Sequence, residues 1–210
     1  MSEPAFVHRF EPSPDGRGPT LVLMHGTGGN ETSLLSFARE IVPNAALFAA
    51  RGRSLDEGFP RWFRRKTAVT FDQAQIRSEA AAFSAFLVEA GRSYGFDPAA
   101  AVHLGYSNGA NMIGAMMFLT PGLIRRAVLL RAMNILESVP AAELAGAAAL
   151  MTTGARDPYS PYATALEANL LAAGAAVENV VVNAGHDLVM QDVALIRAWL
   201  GGQAPGKAMA

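Results

Sequence analysis

The chain contains no cysteine. Neither a disulfide framework nor a thiolate zinc site can form, and the redox compartment is left unconstrained. Charge is scarce: Lys and Arg number 17, Asp and Glu 18, for a formal net charge of −1. The basic excess of a nucleic-acid binder is missing. No apolar stretch reaches spanning length without Gly, Pro or a charge, so no membrane insertion is expected. The N-terminus, MSEPAFVHRF, lacks a basic segment followed by an apolar run. No signal peptide is therefore expected, and a cytoplasmic protein is the default expectation. The four histidines are scattered, with no carboxylate at metal-ligand spacing, so neither a metal site nor a cofactor is expected. Internal repeats and domain-scale linkers are also lacking. What the chain has is apolar residue, 51% of 210. That suffices for one domain with a sizeable core, read here as 1–200, and is too little for two. Residues 201–210, small and polar, are expected to form a disordered tail.

Apolar runs alternate with helical segments along the chain. Thr20–Met24 (TLVLM) is continuous and apolar, as a central parallel strand buried on both faces requires. Ala45–Ala50, Ala101–Leu104, Ala127–Leu130, Ala147–Thr153 and Val177–Val182 read the same way, with Phe6–Phe10 as an edge strand. Helices are expected over Glu31–Ile41, Phe71–Tyr94, Asn108–Leu119, Pro161–Ala173 and a segment ending near Leu200, with a short one around Ser138–Leu144. Strand–helix alternation predicts a mostly parallel central sheet with helices on both faces.

The chain is organised around Ala101–Met112, AVHLGYSNGANM. Gly105-Tyr106-Ser107-Asn108-Gly109 fits G-x-S-x-G, a nucleophile elbow. A serine forced into a strained strand-to-helix turn brings neighbouring backbone close at the positions two before and two after it, where only a missing Cβ fits. The turn also sets the hydroxyl at a helix N-terminus, which favours developing negative charge. In a parallel sheet, functional loops lie at the C-terminal strand ends. Ser107 follows one strand, Asp157 in GARDP (Gly154–Pro158) a later one, and His186 in GHDL (Gly185–Leu188) the last. Another strand end carries the glycine-rich His25-Gly26-Thr27-Gly28-Gly29-Asn30.

Together with LMHGTGGNE (Leu23–Glu31) and RGR…FPRWFRR (Arg51–Arg65), these motifs resemble the α/β-hydrolase superfamily, and within it the small carboxylesterase/phospholipase-like serine hydrolases. The resemblance runs from about Thr20 to Leu200. It implies the α/β-hydrolase fold with no large cap domain, and metal-independent ester hydrolysis through an acyl-enzyme. One departure is Asn108, where relatives acting on acyl proteins or lysolipids often carry Gln. Ser107 is the expected nucleophile, His186 the base and then acid, and Asp157 the group that orients the imidazole. Backbone N–H groups of Thr27 and Asn108 are the expected oxyanion donors. The expected partner is a small-molecule ester, with a homodimer left open. Two further readings stay open: a lactone hydrolase or perhydrolase on the same scaffold, and a ligand sensor with slow turnover. Dienelactone hydrolases use a cysteine nucleophile, which this chain lacks.

Asp187 and Asp192 compete with Asp157, but the first is adjacent to His186 and the second falls within the last helix. His25 is read as a brace for the oxyanion loop, and His8 and His103 as surface or core residues. Arg51–Lys66 holds six basic residues and three large aromatics. It reads either as a solvated crossover whose arginines pair with Asp56, Glu57 or Asp72, or as a flap whose Phe59, Trp62 or Phe63 wall the pocket. Met133 and Tyr159, on strand-end loops, complete the expected pocket.

Overall fold

The computed structural model describes residues 6–202. Nine strands and five helices are named here in chain order. The strands are β1 (His8–Glu11), β2 (Thr20–Met24), β3 (Ala46–Ala50), β4 (Ser54–Asp56), β5 (Phe59–Arg61), β6 (Val102–Tyr106), β7 (Arg126–Leu130), β8 (Ala148–Gly154) and β9 (Ala176–Val182). The helices are α1 (Leu35–Ile41), α2 (Gln73–Tyr94), α3 (Asn108–Leu119), α4 (Ala163–Ala172) and α5 (Met190–Leu200). Seven strands form one sheet in the order β1-β3-β2-β6-β7-β8-β9, and only the β1–β3 pairing is antiparallel.

The two-residue strand period divides the core in two. Val22, Met24, Phe48 and Leu129 face one layer, filled by α2, α3 and α4. Leu21, Leu23, Leu47 and Val128 face the other, filled by α1 and α5. Leu104 and Val128 are fully buried at the sheet's centre. Among the described residues, no helix is long and apolar enough to cross a membrane.

Some expectations fail locally. The helix before Ile41 starts at Leu35 rather than Glu31, because the Asn30 side chain takes the Thr32 N–H (2.8 Å) and hydroxyl (2.7 Å). Such local side-chain bonds compete with the helical ladder. No helix forms around Ser138–Leu144: Pro140 lacks a donor, and Leu144 N–H instead bonds the Ala173 carbonyl at 2.8 Å. Ser54–Arg61 forms the β4–β5 hairpin, for which no strand was expected. Its two-residue turn places Glu57 at φ 55° and Gly58 at φ 77°, the positive values such turns need. Gly201 and Gly202 close α5 with bonds to the Arg197 and Trp199 carbonyls. The rest of the expected tail lies outside the described residues.

Candidate active site

β6 ends in the elbow. Ser107 has φ 50° and ψ −114°, a strained conformation for a residue with a Cβ, and its N–H is held by the Leu130 carbonyl at 2.8 Å. The flanking glycines are required by space. A Cβ on Gly105 would stand 2.6 Å from Ala110 N, and one on Gly109 would stand 2.1 Å from the Met24 carbonyl oxygen. The elbow therefore exists only because β2, β6 and α3 approach at backbone distance.

The three strand-end residues meet. His186 Nε2 lies 2.9 Å from Ser107 Oγ, and its Nδ1 lies 2.8 Å from Asp157 Oδ2. A carboxylate oxygen accepts, so Nδ1–H donates to it and Nε2 is left to accept from the serine hydroxyl. Asp157 is 4% exposed, and its other oxygen accepts the Tyr159 N–H at 2.9 Å. Tyr159 meets the imidazole edge-on with ring centroids 5.3 Å apart. Asp187 and Asp192 take no part: Asp192 pairs with Arg131 on the far side of the loop.

A cavity of about 200 Å³ opens beside Ser107 and His186. Thr27, Asn108, Met133 and Tyr159 line it. Phe59, Trp62 and Phe63 do not. Trp62 (1% exposed) and Phe63 (0%) lie in the core beneath the crossover, and Phe59 is 58% exposed at the hairpin. Trp62 packs edge-on against Phe83 at 4.8 Å, and its indole N–H donates to the His25 carbonyl at 2.9 Å. The interior offers this side chain both full burial and a hydrogen-bond partner, so it has no reason to face a wet cavity.

The crossover reaches the cavity through other residues, Arg61, Arg65, Ala68 and Phe71, while Asn111 enters from α3. Asn108 and Asn111 are the polar side chains of an otherwise apolar helix and stand three positions apart, hence on one face. That spacing was the available signal. Asn108 Oδ1 accepts the Trp62 N–H at 2.7 Å, and Asn111 Oδ1 accepts the Met133 N–H at 2.8 Å. The Arg51–Lys66 arginines pair as a solvated crossover would, Arg65 with Glu57 at 2.7 Å and Arg64 with Asp72 at 3.6 Å. Arg51 and Arg53 reach instead to Glu31 and Glu79.

The glycine-rich loop after β2 is braced from beneath. Gly52 N–H donates to His25 Nε2 at 3.0 Å, so the ring's proton sits on Nδ1, facing the Gly26 carbonyl at 2.6 Å. Burial lowers the pKa of His25, which keeps the ring neutral in this role. Arg61 Nη1 donates to Thr27 Oγ1 at 3.1 Å, and the Gly28 N–H bonds the Pro60 carbonyl at 2.9 Å. Burial lowers the Arg61 pKa, and the neighbouring Arg65 charge adds to that effect. Among the described residues, no group of His, Cys, Asp and Glu side chains is arranged to hold a metal ion.

A mostly parallel sheet with a G-x-S-x-G turn at the end of its central strand defines an α/β-hydrolase. Known proteins agree. A carboxylesterase from Mesorhizobium loti is 42% identical, with a TM-score of 0.91 over 96% of this chain and 97% of that one. The Bacillus cereus carboxylesterase is 34% identical, with a TM-score of 0.89 over 94% of each chain. "Putative hydrolase MhqD" of Bacillus subtilis (strain 168) is 31% identical over 181 residues, 85% of this chain and 90% of its own length. No family model matches the chain. The chain belongs to the carboxylesterases of the α/β-hydrolase fold, and it is an ester-hydrolysing enzyme.

Proposed function

We propose that this enzyme cleaves small carboxylic esters or thioesters through an acyl-enzyme, with Ser107, His186 and Asp157 as its triad. The observation that carries the reading is the hydrogen-bonded chain from Ser107 Oγ through His186 to Asp157, at 2.9 and 2.8 Å, opening on a cavity. Ser107 Oγ attacks the ester carbonyl carbon while its proton passes to His186 Nε2. The carbonyl oxygen becomes an oxyanion beside the N–H groups of Thr27 and Asn108. Asn108 opens α3, where the first N–H groups lack helical partners. Such a donor contributes about 3–4 kcal/mol to transition-state stabilisation. The carbon–oxygen (or carbon–sulfur) bond then breaks, and His186 gives its proton to the leaving group. Water, deprotonated by the same imidazole, attacks the Ser107 ester and releases the acid. The small cavity suits short acyl or compact aromatic groups, and the reading requires no partner beyond that small molecule.

The test is p-nitrophenyl ester hydrolysis from acetate to octanoate, with fluorophosphonate labelling read by intact mass. Ser107→Ala should lower kcat by about 10⁶ and abolish labelling while the protein stays folded. A variant retaining more than a tenth of wild-type activity would overturn the assignment. Labelling at Ser107 without turnover on any ester would move the reading to a lactone substrate or a sensor.

A further inference from the structure

Arg131 follows β7 directly and has no part in the chemistry described so far. It is fully buried, yet its backbone sits at φ 56°, a conformation that costs energy for any residue with a Cβ. Its guanidinium is satisfied on every side. Nη1 and Nη2 grip the two oxygens of Asp192 at 2.9 and 2.8 Å, and Nη1 also donates to Thr152 Oγ1 at 2.7 Å. The remaining donors go to the histidine loop: Nε to the Gly185 carbonyl at 3.2 Å and Nη2 to the Asp187 carbonyl at 2.9 Å. These are the carbonyls on either side of His186. The carbonyl of His186 itself accepts from the Tyr106 hydroxyl at 3.2 Å. Burial, with Asp187 nearby, raises the Tyr106 pKa, so the phenol stays protonated and able to donate.

Three consecutive carbonyls of one loop are thus held by the buried Arg131 and the half-buried Tyr106. Both of those side chains belong to the elbow framework. Tyr106 precedes the nucleophile, and Arg131 follows Leu130, whose carbonyl accepts the Ser107 N–H. The loop carrying the base and the turn carrying the nucleophile are therefore fixed against the same few atoms. Asp192 completes the frame from α5: Oδ2 also accepts the Val189 N–H at 2.8 Å, so the end of the loop cannot shift without breaking the ion pair.

We propose that Arg131 and Tyr106 are positioning residues for His186, holding its backbone so that Nε2 stays within reach of Ser107 Oγ. The proposal rests on the triad reading given above. A misplacement of about 1 Å can cost on the order of 10²-fold in rate, which sets the expected scale.

Arg131→Lys keeps a cation for Asp192 and loses the planar fork that reaches two carbonyls at once. With p-nitrophenyl acetate, the folded variant should lose about 10²-fold in kcat with KM little changed. Its rate of fluorophosphonate labelling should fall in parallel, and the pH midpoint of kcat/KM should move. The same substitution is then made in the His186→Ala background. A residue that works through His186 has nothing left to position there, so the second loss should vanish. An equal further loss in that background, or a folded Arg131→Lys enzyme with wild-type kcat, would overturn the proposal. Should Arg131→Lys not fold, Tyr106→Phe decides: it removes one loop bond and keeps the ring, and it should show the same kcat-selective loss on a smaller scale. No loss in that variant would overturn the proposal. A His186→Ala enzyme as active as wild type would sink the triad reading itself, which keeps the two failures apart.

Discussion

Two carboxylates near the C-terminal edge of the sheet each hold one cationic or basic partner, and they differ in almost every other respect. Asp192 and Arg131 are both 0% exposed at the side chain, bonded through two oxygens and two nitrogens. The Asp157 side chain is 2% exposed, but that of its partner His186 is 29% exposed and has one ring nitrogen turned to Ser107. A guanidinium does not give up its proton, so the first pair is permanent and can only fix geometry. An imidazole can accept and release a proton at its ring nitrogens, so the second pair suits the proton relay proposed above. The first pair is closed to water, and the histidine of the second stands at the wall of the cavity. The lesson is that burial alone does not distinguish the carboxylate of the proposed triad from a structural one. The partner's chemistry and its access to the cavity do.

The widest expected separation between the pairs is in activity. On the triad proposed above, Asp157→Asn keeps the shape and loses the charge that would fix the imidazole tautomer, and it should lower kcat by about 10⁴. Its stability, measured by urea unfolding, should change by about 1 kcal/mol or less, because the substitution leaves no buried charge unpaired. Asp192→Asn should do the reverse in kind. It leaves the Arg131 guanidinium buried without its counter-charge, a loss of about 3–5 kcal/mol read from the shift in urea midpoint. If Asp192→Asn left stability intact while Asp157→Asn unfolded the protein, the contrast drawn here would be inverted.

The difference between these pairs was only partly legible in the sequence. Asp157 was distinguishable from Asp192 because one follows a strand run and the other sits inside an apolar helical pattern. That Asp192 faces Arg131 was not, since 61 residues separate them and nothing local signals the pairing. The sheet was legible for a physical reason: strands buried on both faces must be continuous apolar runs, and β2 was read to the residue, Thr20–Met24. The elbow was legible because Gly105 and Gly109 are imposed by backbone contact and no other residue fits. The crossover was not. Its three-residue strands are too short to show alternation, and Trp62 and Arg61 sit side by side with opposite destinations, core and cavity. Composition marks such a stretch as aromatic and basic without saying which side chain faces where. Only β4–β5 pairing and the bonds to Asn108 and Thr27 set that register.

His103 sharpens the comparison from the other side, as a histidine with no carboxylate at all. It is fully buried on β6, its Nε2–H donates to the Pro98 carbonyl at 2.8 Å, and its Nδ1 has no partner among the described residues. A proton on Nδ1 would be a buried charge without an acceptor, so burial pushes the pKa down to about 4. The unfolded chain takes up that proton near the ordinary histidine value of about 6.5, and the native protein resists it. The unfolded state therefore binds more protons between those two values. Stability from this site is complete above about pH 6.5 and is lost as the pH falls toward about 4, a change on the order of 3 kcal/mol. His25, its pKa lowered chiefly by burial, adds in the same direction. Urea midpoints measured from pH 7 down to pH 4 should decline in the wild type and decline less in His103→Gln, which keeps a donor for Pro98 and removes the titration. An unchanged slope in that variant would mean that the buried ring is not what couples this fold to acid.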